Sequence, residues 1–204
     1  MTLEVTGRRR ELFREVARSA CSCRFIRAEA MIEQKIKQAT GPFRMSCRVE
    51  LDLRAEAEII WRLLTNAEDF SRWNSTVTGI EGQIREGERL RIRVPGTDRT
   101  FTPMVSDVVP NKHMTWTGSF APLLKGVRTF ELRRRIDGST HFTMEERFSG
   151  LMLPLAKGSM PDFGPVFERY ADDLKREAER LALVVRINLR GERVDVRALG
   201  RGQA

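Results

Sequence analysis

The segment 161–186 leaves this chain the least freedom. It is proline-free once Pro165 is past, and Phe163, Phe167, Tyr170, Leu174, Ala178 and Leu181 recur at steps of three and four. That spacing predicts a long helix with one apolar stripe. Glu168, Arg169, Asp172, Asp173, Lys175, Arg176, Glu177, Glu179 and Arg180 fall on the remaining faces. Such a helix draws most of its stability from packing the stripe on a partner surface. The stripe is wide where it begins, with two phenylalanines and a tyrosine, and narrow where it ends, so a sheet folded around it can clamp one end and line a pocket at the other.

The partner surface lies upstream. In 46–53, Cys47, Val49, Leu51 and Leu53 alternate with Arg48, Glu50 and Asp52 as in a half-buried strand. Residues 55–64 and 67–72 read as two short helices, the second followed by Trp73 and Asn74. Strands then come in sequence: 76–81, 90–94, 100–109 with Pro103 marking a bulge or edge, and 112–118. Arg89, Arg91 and Arg93 alternate with Leu90, Ile92 and Val94, which gives an arginine ladder on an outward face. Such a row is more often a solvated face that discourages edge pairing than a binding surface.

The hairpin 126–136 and 140–150 is the best defined, with 137–139 read as a three-residue loop. Pairing Ile136 with Thr140 sets Arg128 and Glu146 diagonally on adjacent strands. Both share the inward face with Phe130, Leu132, Phe142, Met144 and Phe148. Charged side chains are seldom buried unpaired, so Arg128 and Glu146 are read as a structural ion pair at a cavity wall or as an anchor for a polar ligand group. They are also the candidate acid/base pair of an enzyme. Two apolar loops, 120–125 and 151–161, lie at one end of the sheet and read as a pocket rim or a cover on the core.

The net charge of +8 sits at the ends. Residues 1–44 hold ten basic and five acidic residues and 187–204 hold four and two, so 45–186 carry only +1. A nucleic-acid reading of the high pI therefore loses its force. Residues 1–44 are read as a basic N-terminal extension, partly helical or disordered, with short stripes at Leu12, Phe13, Val16, Ala20 and at Met31, Ile32, Ile36; peripheral membrane contact through it is left open. Residues 187–204 are read as a basic tail. Cys21, Cys23 and Cys47 form no framework of spaced pairs, which fits free thiols in a reducing, cytoplasmic setting. No apolar run is long enough to span a bilayer. Only two histidines, His113 and His141, occur, neither at a spacing that suggests a triad or zinc site. No phosphate loop or dinucleotide fingerprint is present, and no metal or organic cofactor is expected.

Strand, two short helices, six strands and a long C-terminal helix make an order that resembles the helix-grip fold of the START and birch-pollen-allergen superfamily (SRPBCC proteins). The branch is that of polyketide cyclase/dehydrase-like and carbon monoxide dehydrogenase G-like proteins. The residues that carry the resemblance are Ile60-Trp61-Arg62-Leu63-Leu64, Phe70-Ser71-Arg72-Trp73-Asn74, Gly82 with Gly87, and Phe101-Thr102-Pro103-Met104-Val105. Val109-Pro110, Met114-Thr115-Trp116, Thr140-His141-Phe142 and Glu146-Arg147-Phe148-Ser149-Gly150 continue the series. The resemblance implies an α+β domain over 45–186, in which a curved antiparallel seven-stranded sheet wraps the long helix, with two short helices after the first strand. It also implies a cavity for an apolar ligand, with no universal catalytic motif.

On that basis Phe101, Trp116, Arg128, Phe130, Met144, Glu146, Phe163, Phe167 and Tyr170 are the candidate ligand-binding residues. The expected function is binding of a small apolar or aromatic molecule of lipid, polyketide or isoprenoid type. The alternatives are a cyclase/dehydratase using Glu146 with Arg128 or Tyr170, and a protein-interaction module of the chaperone-ATPase-activator type that uses the arginine ladder. A homodimer is left open.

Overall fold

The computed structural model describes residues 34–189 apart from 122, 157, 159 and 161. The expected stripes within 1–33, the thiols Cys21 and Cys23, and the tail from 190 lie outside the described residues.

The first described element is β1, Lys35–Thr40, which pairs antiparallel with β2, Arg44–Leu53. Helices α1, Ala57–Thr65, and α2, Phe70–Trp73, follow. Next come β3, Gly79–Glu81, β4, Arg91–Arg93, β5, Thr100–Phe101, and β6, Met104–Val109. Strands β7, His113–Ala121, β8, Leu124–Arg134, and β9, Thr140–Ser149, complete the sheet. A single turn, α3, Leu153–Ala156, precedes the long helix α4, Gly164–Leu189. This is the α+β helix-grip arrangement: a large antiparallel sheet with the C-terminal helix packed on its inner face.

The strands divide into a six-stranded sheet, β1-β2-β9-β8-β7-β6, and a three-stranded sheet, β3-β4-β5, where seven strands in one sheet were expected. Two residue-level causes account for the difference. Residues 35–40, expected in a helical extension, form an edge strand that buries little beyond Ile36 and carries Lys35 and Lys37 on its exposed positions. The expected strand 100–109 is broken at Pro103, which has no amide hydrogen for a ladder. The Pro103 carbonyl still accepts from the Leu90 amide at 2.9 Å, and an isolated bridge joins Arg89 to Met104, so the two sheets stay stitched together at the break.

The β8–β9 hairpin differs from expectation by one residue in its loop. The Arg135 amide donates to the Ser139 carbonyl at 2.9 Å, which makes 136–138 the loop and puts Gly138, at φ +80°, in its last position. A three-residue hairpin loop takes its left-handed residue there, and glycine adopts that conformation most easily. Every expected pairing moves by two, which preserves the faces but makes Arg128 and Glu146 direct partners rather than diagonal ones.

Helix α4 begins three residues later than expected. Asp162 accepts from the Gly164 amide at 2.9 Å and from Gln38 Nε2 at 3.0 Å, a cap that also ties the helix start to β1. Phe167, Tyr170, Ala171, Leu174, Ala178 and Ala182 are buried along one face. They pack in one core with Val49, Leu51 and Leu53 of β2, Ile59, Ile60, Leu63 and Leu64 of α1, and Phe130, Leu132, Phe142 and Met144 of β8 and β9.

Candidate functional site

One rung of the six-stranded sheet carries a charge pair on the inner face. Val105, Trp116, Arg128, Glu146 and Cys47 are successive cross-strand partners from β6 to β2. Arg128 Nε donates to Glu146 Oε2 at 2.5 Å. The Glu146 side chain is 5% exposed and that of Arg128 25%. The guanidinium carbon lies 5.6 Å from the Phe167 ring centre, within cation–π range, so the ion pair also touches the helix. Beside it the buried Cys47 thiol is pushed up to about 11, by burial first and then by the negative charges of Asp162 and Glu146, against the opposing charge of Arg128. It is a small apolar wall residue rather than a nucleophile.

Trp116 joins this rung to an aromatic cluster. Its ring centre is 4.9 Å from that of Phe130, which in turn is 6.3 Å from Tyr170. Phe70 and Trp73 of α2 complete the cluster, with Trp73 and Tyr170 edge to face at 5.9 Å and Phe70 and Trp73 at 4.7 Å. These rings touch one another, so a molecule lying among them has to part them. Polarity within the cluster is one-sided. Tyr170 Oη, Trp116 Nε1, Trp73 Nε1 and Asn74 Nδ2 are buried without a protein hydrogen-bond partner. Each can donate, and a buried polar atom left unpaired costs about 1–3 kcal/mol. The carboxylate of Glu146 on the inner face is engaged by Arg128. Burial pushes the Tyr170 phenol well above its ordinary value, against the lowering effect of Arg128, so the phenol keeps its proton.

On a face of α4 away from the expected apolar stripe, two carboxylates are buried. Asp173 is 6% exposed and accepts from the Ser75 amide and hydroxyl, both at 2.7 Å, and from Arg176 at 2.5 Å. Glu177 is 7% exposed and accepts from Arg72 at 2.7 Å and from Arg180 at 2.8 Å. For both, burial works to raise the carboxyl and the hydrogen bonds and charges outweigh it, leaving each below its ordinary value. These bonds hold α2 and the α2–β3 connection against α4, where Trp73 meets Tyr170.

The remaining candidates fall as follows. Met144 is buried one rung further along, opposite Phe130 and Val49. Phe163 stacks on Phe148 at 5.0 Å and packs both on the main core and on a satellite cluster of Leu124, Phe148 and Leu153. Phe101 is half-buried on β5 opposite Ile92 and packs on the rim of the core. Trp73, Asn74 and Phe70 were not among the candidate ligand-binding residues, although 70–74 is one of the motifs that carry the family resemblance. Of the ladder, Arg91 and Arg93 share Glu81 at 3.4 and 2.5 Å, and Arg89 donates to the Thr102 carbonyl at 3.2 Å. His141, on the outer face, meets Asp52 at 2.7 Å through cross-strand pairing that no local spacing announces. Among the described residues no cluster of His, Cys, Asp and Glu could hold a metal ion.

Two surface clefts flank this centre without containing Arg128, Glu146 or Tyr170. One, of about 750 Å³, lies along the β6–β7 turn beside Asn111, His113, Glu131 and Arg133, and Met114 and Phe130 of the core also line it. The other, of about 460 Å³, lies between the α1–α2 junction and the Gly82–Arg85 turn, with Trp61 and Ile84 in its wall. Both are open to solvent, whereas the unspent donors and the charge pair lie inside. The interior is therefore the stronger candidate site.

The family model described as polyketide cyclase / dehydrase and lipid transport matches residues 44–185. The chain belongs to this family. The match spans the domain from β2 to near the end of α4. Among solved structures, the family member resembles MLL2253 from Mesorhizobium loti at 24% identity and a TM-score of 0.53, over 66% of this chain and 97% of that one. It resembles a protein from Rhodobacter sphaeroides at 18% identity and a TM-score of 0.55, over 73% and 99%. It also resembles DynU16, a protein of the dynemicin biosynthetic locus, at 17% identity and a TM-score of 0.50, over 63% and 45%. These likenesses show the shared fold. No curated protein matches the sequence. Among the described residues no helix is long and apolar enough to cross a membrane.

Proposed function

We propose that this protein binds a small aromatic or otherwise apolar molecule that carries a hydrogen-bond acceptor, between α4 and the inner face of the sheet. The acceptor is a ketone, quinone or carboxylate, as in aromatic polyketides. The observation that carries this reading is the set of buried donors without protein partners, Tyr170 Oη, Trp116 Nε1 and Trp73 Nε1, within one aromatic cluster. A ligand oxygen among them would satisfy groups that otherwise destabilise the fold, while the rings and Met144 receive the apolar body. Arg128 would fix orientation through its charge, and Glu146 would hold Arg128 in place. The family description is consistent with this use of the interior. A cyclase or dehydratase reading is less well supported. Tyr170 is held protonated and so suits hydrogen-bond donation, and the Glu146 carboxylate is bound to Arg128.

The test is a titration of the full chain with emodin, an aromatic polyketide bearing ketone oxygens, followed by quenching of tryptophan fluorescence. Tyr170→Phe removes one donor and keeps the ring. It is expected to weaken binding about fivefold, the worth of one hydrogen bond of ~1 kcal/mol, while leaving the melting temperature unchanged or raised. No quenching by emodin or other ketone-bearing aromatics, or equal affinity in the variant, would sink the proposal.

A further inference from the structure

Three turns meet at the end of the sheet from which α3 departs, and each exposes large apolar side chains. Phe43 in the β1–β2 turn is 50% exposed, Leu123 in the β7–β8 turn 67%, and Leu151 and Leu155 after β9 are 67% and 76% exposed. Their proximity is fixed by backbone contacts. The Gly150 amide donates to the Phe43 carbonyl at 3.2 Å, and a Cβ built on Gly150 would stand 1.8 Å from the Leu123 carbonyl oxygen. Beneath them, the buried cluster of Leu124, Phe148 and Leu153 anchors the turns.

Three further observations say what this tip meets. First, Leu123 sits at φ 59°, a left-handed conformation that glycine or asparagine adopts more easily. A leucine there, two-thirds exposed, serves neither the turn nor the core. Second, the rung just behind the tips is Arg44–Ser149–Lys125, so two exposed cations flank the apolar points, and neither makes an ion pair among the described residues. Third, residues 41–44, 123–126 and 149–156 contain no Asp or Glu. An apolar tip backed by uncompensated positive charge is complementary to a phase with an anionic surface and an apolar interior. Contact between two copies through the same tip would bring Arg44 and Lys125 against their own counterparts, which like-charge repulsion opposes.

We infer that this end of the domain docks on the surface of an anionic lipid bilayer, with Phe43, Leu123, Leu151 and Leu155 in the acyl boundary and Arg44 and Lys125 against headgroup phosphates. Of residues 1–44 only Phe43 and Arg44 take part in this surface; its other points come from the β7–β8 turn, the start of β8, the β9–α3 connection and α3.

The experiment is flotation of the full chain with vesicles of phosphatidylcholine mixed with phosphatidylglycerol, and with phosphatidylcholine alone. The wild type is expected to float with the mixed vesicles and much less with the neutral ones. Leu123→Ser with Leu151→Ser, and separately Arg44→Glu with Lys125→Glu, are each expected to lower the bound fraction about tenfold. All four residues are exposed, and circular dichroism checks that the variants fold; Leu155→Ser serves as an independent single change. Absence of binding to mixed vesicles overturns the inference, as does binding of both double variants equal to the wild type. A dimer dispersed by the leucine substitutions, with no flotation, overturns it in favour of self-association.

Discussion

Arg128 and Glu146 are direct cross-strand partners on β8 and β9, joined at 2.5 Å, and the Arg128 guanidinium lies 5.6 Å from the Phe167 ring centre on α4. The pair therefore links sheet to helix. Removing one partner leaves the other charge poorly satisfied in a mostly buried place, whereas removing both charges leaves a neutral contact. Glu146→Gln is expected to cost about 2 kcal/mol in urea unfolding. The double variant Arg128→Met with Glu146→Gln should cost less than the sum of the single changes, by ~1 kcal/mol or more. Additive effects would show that the two groups do not act as a pair.

Asp173 and Glu177 make the helix sensitive to acid. Their carboxyls lie below ordinary values in the folded protein, because hydrogen bonds from Ser75, Arg176, Arg72 and Arg180 outweigh burial. A depressed folded value means that the stabilisation is complete above the unfolded carboxylate range, roughly pH 4 to 5, and is lost as pH falls through the folded values. Melting temperature followed from pH 7 to strongly acid conditions should fall in that window. Asp173→Asn with Glu177→Gln should be less stable at pH 7 and show a shallower acid decline. An unchanged acid limb would place the pH sensitivity elsewhere.

Gly150 tests the closeness of the turns. At φ +145°, with a Cβ position 1.8 Å from the Leu123 carbonyl oxygen and 3.0 Å from the Leu124 Cα, it admits no side chain without movement of backbone. Gly150→Ala is expected to destabilise by about 1–3 kcal/mol. Gly87→Ala is the control for positive φ alone, because nothing stands within 4 Å of its Cβ position. Equal losses at both positions would mean that backbone conformation, not crowding, makes glycine necessary at 150.

How much of this was legible varied with the range of the interaction that carried it. The helix stripe and the inward parity of Arg128 and Glu146 follow from periods of 3.6 and 2, which are local, and both are present in the structure. Strand β1 was missed because an edge strand with five exposed residues shows no alternation, and its only inward apolar residue is Ile36. The burial of Asp173 and Glu177 was missed because their partners Ser75 and Arg72 lie 98 and 105 residues away. A lone sequence cannot distinguish a solvated carboxylate from one that receives such donors. The hairpin register slipped by two because the loop was centred on Gly138, whereas the three-residue turn needs its left-handed residue last.

The start of α4 is bound to β1 through Gln38 and Asp162, which are 124 residues apart, and the stripe of the helix covers a sheet built almost wholly from residues made before it. Val49, Leu51, Phe130 and Met144 are therefore all synthesised before α4, the element that covers them. A chain that lacks α4 would expose these apolar side chains to solvent. Chains that stall or are truncated ahead of Tyr170 are accordingly expected to become chaperone clients rather than partially active domains.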